Sequence, residues 1–246
     1  MMRLALIGDP VAHSASPALQ QQFLDDADID GEYVAIAVQR GEGAAAIRRL
    51  RAEGFTGCNV TYPLKEEAFE ACEVLSAEAR RTRAVNTIFF GREILGTTTD
   101  GIGARTALES LLDVPVALKR VGVLGYGATA RAILLELQEN DAYTFVWGRD
   151  SLRVRDVCRE FEAHPWPDGN PPEVVVSTLP PEAEPSSQLR AELQRADLVM
   201  DTNYGERSVL AAKLGREVVA GDAMLEAQAR ASFDFWLAHL DRVAND

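Results

Sequence analysis

Short β-branched apolar runs punctuate the chain, and between them apolar residues recur every three or four positions. The first periodicity predicts strands and the second predicts helices. Leu4–Gly8, Glu32–Val38 and Phe55–Thr61 read as strands, with helices over Pro17–Ala27 and Gly41–Glu53. Ser16 is a natural N-cap for the first helix, and Pro17 suits its first turn. After Asn59–Pro63 the pattern predicts a short helix from Lys65 to Glu73 and another over Ser76–Arg81. Ala84–Phe90 and Glu93–Leu95, joined by Gly91-Arg92, predict a hairpin.

A helix over Gly101–Leu112 leads to Val114-Pro-Val, the edge of a linker, and the alternation then restarts. Arg120–Leu124 is a strand and Ala130–Glu139 a helix, and Thr144–Trp147, Glu173–Ser177, Asp197–Asp201 and Glu217–Ala220 are further strands. The last helix, Ala223–Arg242, carries a buried stripe at Leu225, Ala229, Phe233, Trp236 and Leu240. Strands alternating with helices imply an α/β fold whose parallel sheets are covered on both faces. There is no internal repeat or charge block. His164–Pro185 reads as loop around its one strand, because it holds seven of the eleven prolines.

The 246 residues are enough for one or two domains, and a chain of this size folds without disulfides or a structural metal. A net charge of −13 argues against nucleic-acid or anionic-membrane partners, both of which require clustered Lys and Arg. No apolar run reaches the length of a membrane span, and the apolar stretch before Gly8-Asp9-Pro10 is too short for a signal peptide. Cys58, Cys72 and Cys158 form no CxxC pair and are odd in number, the usage of a reduced, cytoplasmic protein. His13, His164 and His239 have no ligand spacing, so no metal site is expected.

Val121-Gly-Val-Leu-Gly125-Tyr-Gly127-Ala-Thr-Ala130 has the order strand, G-x-G-x-x-A, helix. Gly125 permits the tight turn, Gly127 lets backbone approach a pyrophosphate, and Ala130 lets the helix pack closely on its strand. The helix N-terminus offers free N–H groups to the phosphates. A tight βα turn with no ligand has the same form, so the second strand decides more. An NAD site ends that strand in an acid that holds the ribose. Here Thr144–Trp147 runs into Gly148-Arg149-Asp150-Ser151-Leu152-Arg153. Two guanidiniums can fork a 2′-phosphate, which favours NADP, whereas Asp150 either repels that phosphate or binds a ribose hydroxyl. The candidate cofactor residues are Gly125, Tyr126, Gly127, Ala128, Thr129, Arg149, Arg153 and Gly221.

Polar residues recur at strand ends in the first half: Ser14, Ser16, Asn59, Thr61, then Lys65, Asn86 and Asp100. Each has an ordinary explanation alone: Ser16 as a cap, Asn86 as a turn former, Lys65 as a solvated charge. Together they fit one cleft at the rim of a parallel sheet.

These residues carry a family resemblance. Gly8-Asp-Pro-Val-Ala-His-Ser-Ala-Ser-Pro17, Gly57-Cys-Asn-Val-Thr-Tyr-Pro-Leu-Lys65, Ala84-Val-Asn-Thr87, Thr99-Asp-Gly101 and Met224-Leu-Glu-Ala-Gln-Ala229 stand in the order found in shikimate dehydrogenases. The chain resembles that family over nearly its whole length. Departures from its pattern are Gln20-Gln21 for His-Asn, Arg83 for Gly, Thr98 for Asn, Ala128 for a third Gly, and Glu206 for Pro.

The resemblance implies two α/β domains. One is an N-terminal parallel or mixed substrate domain, 1–99 plus 222–246, and the other a Rossmann NADP domain, 100–221. It implies that Ser14 and Ser16 hold a substrate carboxylate, with Asn59 beside them in the substrate set. Thr61, Lys65, Asn86, Asp100 and Gln228 would hold ring hydroxyls, and Tyr204 would close over the site. Lys65 and Asp100 would be the catalytic pair of an enzyme interconverting shikimate and 3-dehydroshikimate with NADP, towards aromatic amino acids. The expected partner is that small molecule, and the expected state a monomer or homodimer. Alternatives are a quinate/shikimate-type dehydrogenase and a non-catalytic sensor. Ser16 in place of a bulkier Thr favours shikimate, because quinate carries an additional hydroxyl. Retention of Lys65 and Asp100 favours catalysis.

Overall fold

The computed structural model describes residues 1–166 and 171–245. The stretch 167–170 of the proline-rich segment lies outside the described residues. The chain divides into unit 1, Met1–Asp100 with Gln228–Asp246, and unit 2, Gly101–Ala227. The second crossing falls within the last helix, six residues beyond the expected domain edge at 221/222.

Unit 1 runs β1 (Met2–Gly8), α1 (Ser16–Asp26), β2 (Gly31–Ala37), α2 (Gly43–Ala52), β3 (Gly57–Val60), α3 (Lys65–Ala71), β4 (Val74–Leu75), α4 (Ala77–Thr82), β5 (Thr87–Phe90) and β6 (Ile94–Thr97). Helix α5 (Asp100–Leu112) then carries the chain into unit 2. The strands form one sheet in the order β2-β1-β3-β5-β6-β4. β1 pairs in parallel with β2 and β3, whereas β5 is antiparallel to both β3 and β6, so the sheet is mixed.

Side-chain alternation along β1 divides the core between the two faces. Leu4 and Leu6 join Phe23, Leu24, Tyr33, Phe89, Phe233 and Trp236 on one face. Ala5 and Ile7 join Ile47, Leu50, Leu64, Ala68 and Ile88 on the other. The first face is covered by α1 and by the last helix, α10 (Asp222–Asn245), after the intervening unit has been traversed. Trp236 Nε1 donates to Ile88 O at 2.9 Å, which fixes this helix over the sheet centre.

Unit 2 continues with β7 (Arg120–Leu124), α6 (Ala128–Glu139), β8 (Tyr143–Trp147), α7 (Ser151–Glu160), β9 (His164–Pro165), β10 (Val174–Ser177), α8 (Ser187–Leu193), β11 (Leu198–Asp201) and α9 (Leu210–Leu214). Its strands lie in the order β11-β10-β7-β8-β9, all parallel. That is a doubly wound sheet, whose order reverses between β7 and β10. No helix among the described residues is long and apolar enough to cross a membrane.

Three differences from the sequence reading have local causes. Glu217–Ala220 is not a strand: only Val219 bridges, to Met200, because the chain turns away into α10. Ser16 is not the N-cap of α1; Ala15 is, and it caps with no side-chain bond, so Ser16 lies inside the helix. Helices α7, α8 and α9 were not assigned from sequence. α7 is polar except for Val154, Val157, Cys158 and an exposed Leu152, and α8 and α9 span only seven and five residues.

Candidate active site and nucleotide site

Gly8 ends β1 where a methyl group would overlap Thr61 Cγ2 and Tyr62 O. Its lack of a side chain draws together the loops after β1 and β3: Thr61 N donates to Ile7 O at 2.9 Å and Asp9 N to Tyr62 O at 3.0 Å. The loop holding Ser14 therefore runs beside Thr61. Ser14 Oγ accepts from Ser16 N at 3.2 Å. The Ser16 and Thr61 hydroxyls make no hydrogen bond among the described residues, which leaves both able to bind a ligand.

Lys65 opens α3 and Asp100 opens α5. Lys65 Nζ donates to Asp100 Oδ2 in a short ion pair, the side chains being 14% and 7% exposed. Lys65 is thus no solvated charge. Asn86, the residue before β5, is buried and donates from Nδ2 to Asp100 Oδ1 at 2.9 Å. Gln228 Oε1 lies 3.4 Å from the same nitrogen. Lys65, Asn86, Asp100 and Gln228 accordingly share one contiguous polar cluster inside unit 1.

Behind that cluster lies a set of neutral groups that sequence reasoning passed over. The sheet register sets Asn59 opposite Thr87. Asn59 Nδ2 lies 3.1 Å from each of Asn86 O, Thr87 Oγ1 and Ser232 Oγ, and Tyr33 Oη donates to Asn59 Oδ1 at 2.8 Å. The Asn59 amide is therefore taken up by the protein interior. Thr87 and Thr99 fall within quoted motifs but carried no assignment. Tyr33 and Ser232 fall in none, and only their polar tips on otherwise apolar faces could have marked them.

In unit 2, Gly125 has φ +115° and follows β7, where a side chain would strike Thr178. The position of a Gly127 Cβ is open, with no atom within 4 Å. Gly127 is the N-cap of α6 and brings no capping side chain of its own. The helix begins at Ala128, two residues earlier than expected, and Ala130 is fully buried against the sheet. An open glycine at a helix N-terminus suits a pyrophosphate. Tyr126 packs where a Gly148 side chain would sit, and the Arg153 guanidinium lies 5.8 Å from its ring centroid.

Arg149 is exposed and makes no hydrogen bond or ion pair among the described residues. Asp150 caps α7, accepting from Leu152 N at 2.9 Å and Arg153 N at 3.2 Å, with Oδ2 3.7 Å from Arg153 Nε. Thr129 lies in the first turn of α6, and Tyr204 precedes the 3₁₀ turn Gly205–Arg207. Gly221 N donates to Asn203 O at 2.9 Å, and a Gly221 side chain would collide with Thr202.

Burial raises the thiols of Cys72 to about 12 and of Cys158 to about 11, and raises fully buried Cys58 further still. These are packed, unreactive thiols despite the nearness of Cys58 to Asn59. Burial also raises the Asp201 carboxyl above its ordinary range, against the pull of two Asn203 N–H groups.

Residues 6–88 match the shikimate dehydrogenase substrate binding domain. A shikimate dehydrogenase (NADP(+)) of Acidiphilium cryptum is 37% identical over 249 residues, covering 95% of this chain and 90% of that protein. The chain belongs to the shikimate dehydrogenase family. A second such protein, from Hyphomonas neptunium, is 31% identical with the same coverage. Among solved structures, the Thermus thermophilus shikimate 5-dehydrogenase in complex with NADP(H) and shikimate superimposes with a TM-score of 0.85. It is 29% identical and covers 97% of this chain and 94% of that one. The Aquifex aeolicus shikimate dehydrogenase gives a TM-score of 0.84 at 28% identity, covering 96% and 92%.

Departures from the shikimate dehydrogenase pattern now have locations. Arg83 ends α4 in the left-handed conformation, φ 50° and ψ 40°, which explains why glycine suits that position. Gln20 Nε2 donates to Ala229 O at 2.9 Å and ties α1 to α10, while its buried Oε1 has no partner among the described residues. Glu206 lies in the 3₁₀ turn after Tyr204. Thr98 is half-buried between β6 and α5 and makes no side-chain hydrogen bond among the described residues.

Proposed function

We propose that this protein interconverts shikimate and 3-dehydroshikimate with NADP(H), in the cytoplasm and towards aromatic amino acids. The observation that carries the reading is the buried Lys65–Asp100 pair, oriented by Asn86, in a chain whose 37% identical relative is a shikimate dehydrogenase (NADP(+)). Oxidation of a secondary alcohol needs a base for the hydroxyl proton as hydride leaves the same carbon. Lys65 Nζ takes that proton as the neutral amine, and in reverse the ammonium gives it to the carbonyl oxygen. Asp100 fixes the amine against the substrate hydroxyl and offsets its charge when protonated. When bound, NADP supplies the nicotinamide that accepts or returns the hydride.

Ser14 and Ser16 receive the substrate carboxylate, Thr61 and Gln228 the ring hydroxyls, and Asn86 stands beside them holding Asp100. The Ser16 and Thr61 hydroxyls, unbonded among the described residues, support this assignment. Asn59, whose amide is bonded internally, acts by holding Asn86 and Thr87. The glycines at 125 and 127 and the N-terminus of α6 take the pyrophosphate, and Arg149 and Arg153 the 2′-phosphate.

Absorbance at 340 nm with purified protein, shikimate and NADP tests the proposal, with quinate and NAD as competing pairs. NADPH formation that Lys65→Ala abolishes supports it. Turnover of quinate with NAD alone overturns the substrate and cofactor assignments. Binding of both ligands with no turnover overturns the catalytic assignment in favour of a sensor.

A further inference from the structure

The neutral groups behind the catalytic pair carry an assignment of their own, which rests on the function proposed above. Ser232 is fully buried on α10, one turn after Gln228. Its Oγ lies 2.9 Å from Gln228 O, 2.8 Å from Thr87 Oγ1, 3.1 Å from Thr99 Oγ1 and 3.1 Å from Asn59 Nδ2. One hydroxyl has one proton and two acceptor sites, so four neighbours cannot all be served at once.

One assignment of the protons serves every group at the shorter distances. In it Gln228 O, which can only accept, takes the Ser232 proton. Asn86 Oδ1 accepts from Thr99 N at 2.9 Å and from the Thr87 hydroxyl at 2.9 Å, which fills its two lone pairs. The Thr99 hydroxyl is also 3.2 Å from Asn86 Oδ1, but that site is full, and the proton turns to Ser232 Oγ instead. Thr99 Oγ1 is then free to accept one Asn86 N–H, at 2.9 Å. The other Asn86 N–H is left for Asp100 Oδ1, also at 2.9 Å.

We infer that Ser232 is a positioning residue for the Lys65–Asp100 pair, acting through Thr99 and Asn86. Its oxygen takes the Thr99 proton, and so keeps the lone pairs of Thr99 Oγ1 turned to Asn86 Nδ2, which steadies the amide that donates to the Asp100 carboxylate. With no acceptor at position 232, the Thr99 hydroxyl turns back onto an already doubly bonded Oδ1. The Asn86 amide then loses a partner for one N–H, and the donor that aims Asp100 at Lys65 is held less firmly. Ser232 touches neither member of the pair, and its effect falls on the chemical step.

The test is a double-mutant cycle of Ser232→Ala with Thr99→Val, reading kcat and KM separately, with active molecules counted by calorimetric shikimate binding. Ser232→Ala is expected to lower kcat about tenfold and leave KM for shikimate within about twofold, the split for an interaction made in the transition state. The double variant is expected to be no slower than the slower single variant, because both act through one amide. Unchanged kcat in Ser232→Ala overturns the inference, as do losses that multiply, and both leave the proposed function standing. No turnover by the unaltered protein overturns the proposed function and the role of Ser232 with it. If Ser232→Ala does not fold, Ser232→Cys takes its place, since sulfur is a weak acceptor of similar shape. A loss of kcat at constant KM is again expected, and wild-type kcat again overturns the inference.

Discussion

The two units bring the groups proposed to bind ligands to one rim of their sheets by opposite means. In unit 1 the groups are side chains that hold one another: Lys65, Asp100, Asn86, Thr99 and Ser232 form a bonded series, nearly all of it buried. In unit 2 the groups are backbone N–H at an open glycine, with an exposed Arg149 that no described residue holds. Proton transfer to one hydroxyl needs groups held to within a fraction of an ångström, and mutual bonding supplies that. A dinucleotide is held at many points along its length, so each point tolerates looseness. Damage to the first site should therefore fall on rate, and damage to the second on affinity.

The largest expected effect is that of Lys65→Ala, which should lower kcat by roughly 10²- to 10⁴-fold, the usual contribution of acid–base catalysis. Calorimetry should find shikimate and NADP affinities within a few-fold of the unaltered protein, and a comparable loss of NADP affinity would break the contrast between the units. Arg149→Ala should do the reverse. Loss of a charge-assisted phosphate contact worth about 1.5–3 kcal/mol weakens NADP roughly 10- to 100-fold, with NAD hardly altered. Nucleotide fluorescence titrations check this, and equal weakening of both cofactors would remove the 2′-phosphate from Arg149.

A smaller effect is expected at Asp150, whose carboxylate occupies the N–H groups of α7 and lies beside Arg153, where a phosphate would otherwise be welcome. Asp150→Ser keeps the cap and removes the charge, and should tighten NADP several-fold, in keeping with about 1 kcal/mol for one nearby charge. Tightening of NAD to the same degree in that titration would deny the charge any part.

Asp201 gives a pH-dependent effect. Its folded-state carboxyl is raised, so the unfolded chain ionises first and stability falls as pH rises through that interval. Asp201→Asn should raise Tm at pH 8 by more than at pH 4, and calorimetric scans at the two values check the sign. The smallest expected effect is that of Arg83→Gly. Relief of a left-handed residue, less the chain entropy of glycine, should add roughly 0.5–1 kcal/mol in urea unfolding, with kcat unchanged.

Much of the fold was legible because periodicity and turn chemistry agree along β1, β3, β7, α6 and α10. The short helices α8 and α9 were not, since five to seven residues hardly complete a period. Glu217–Ala220 misled because β-branched composition records burial as well as pairing. Within the site, Lys65, Asn86 and Asp100 stand out as polar residues at strand ends. The parts played by Ser232, Tyr33 and Thr99 did not, because a hydroxyl on a buried face looks the same in sequence whether it fills space or directs a proton. Asn59 was legible as important, but the direction of its amide was set by a register, Asn59 opposite Thr87, that only the folded sheet displays.

The route of the chain also has a consequence for its synthesis. Unit 2 is one unbroken stretch, whereas unit 1 is finished by Phe233 and Trp236, which emerge from the ribosome after all of unit 2. The nucleotide half can be folded while the first sheet still lacks the cover of α10. During that interval Leu4, Leu6 and Phe89 lack part of their apolar cover, the kind of transient exposure that favours aggregation in large chains.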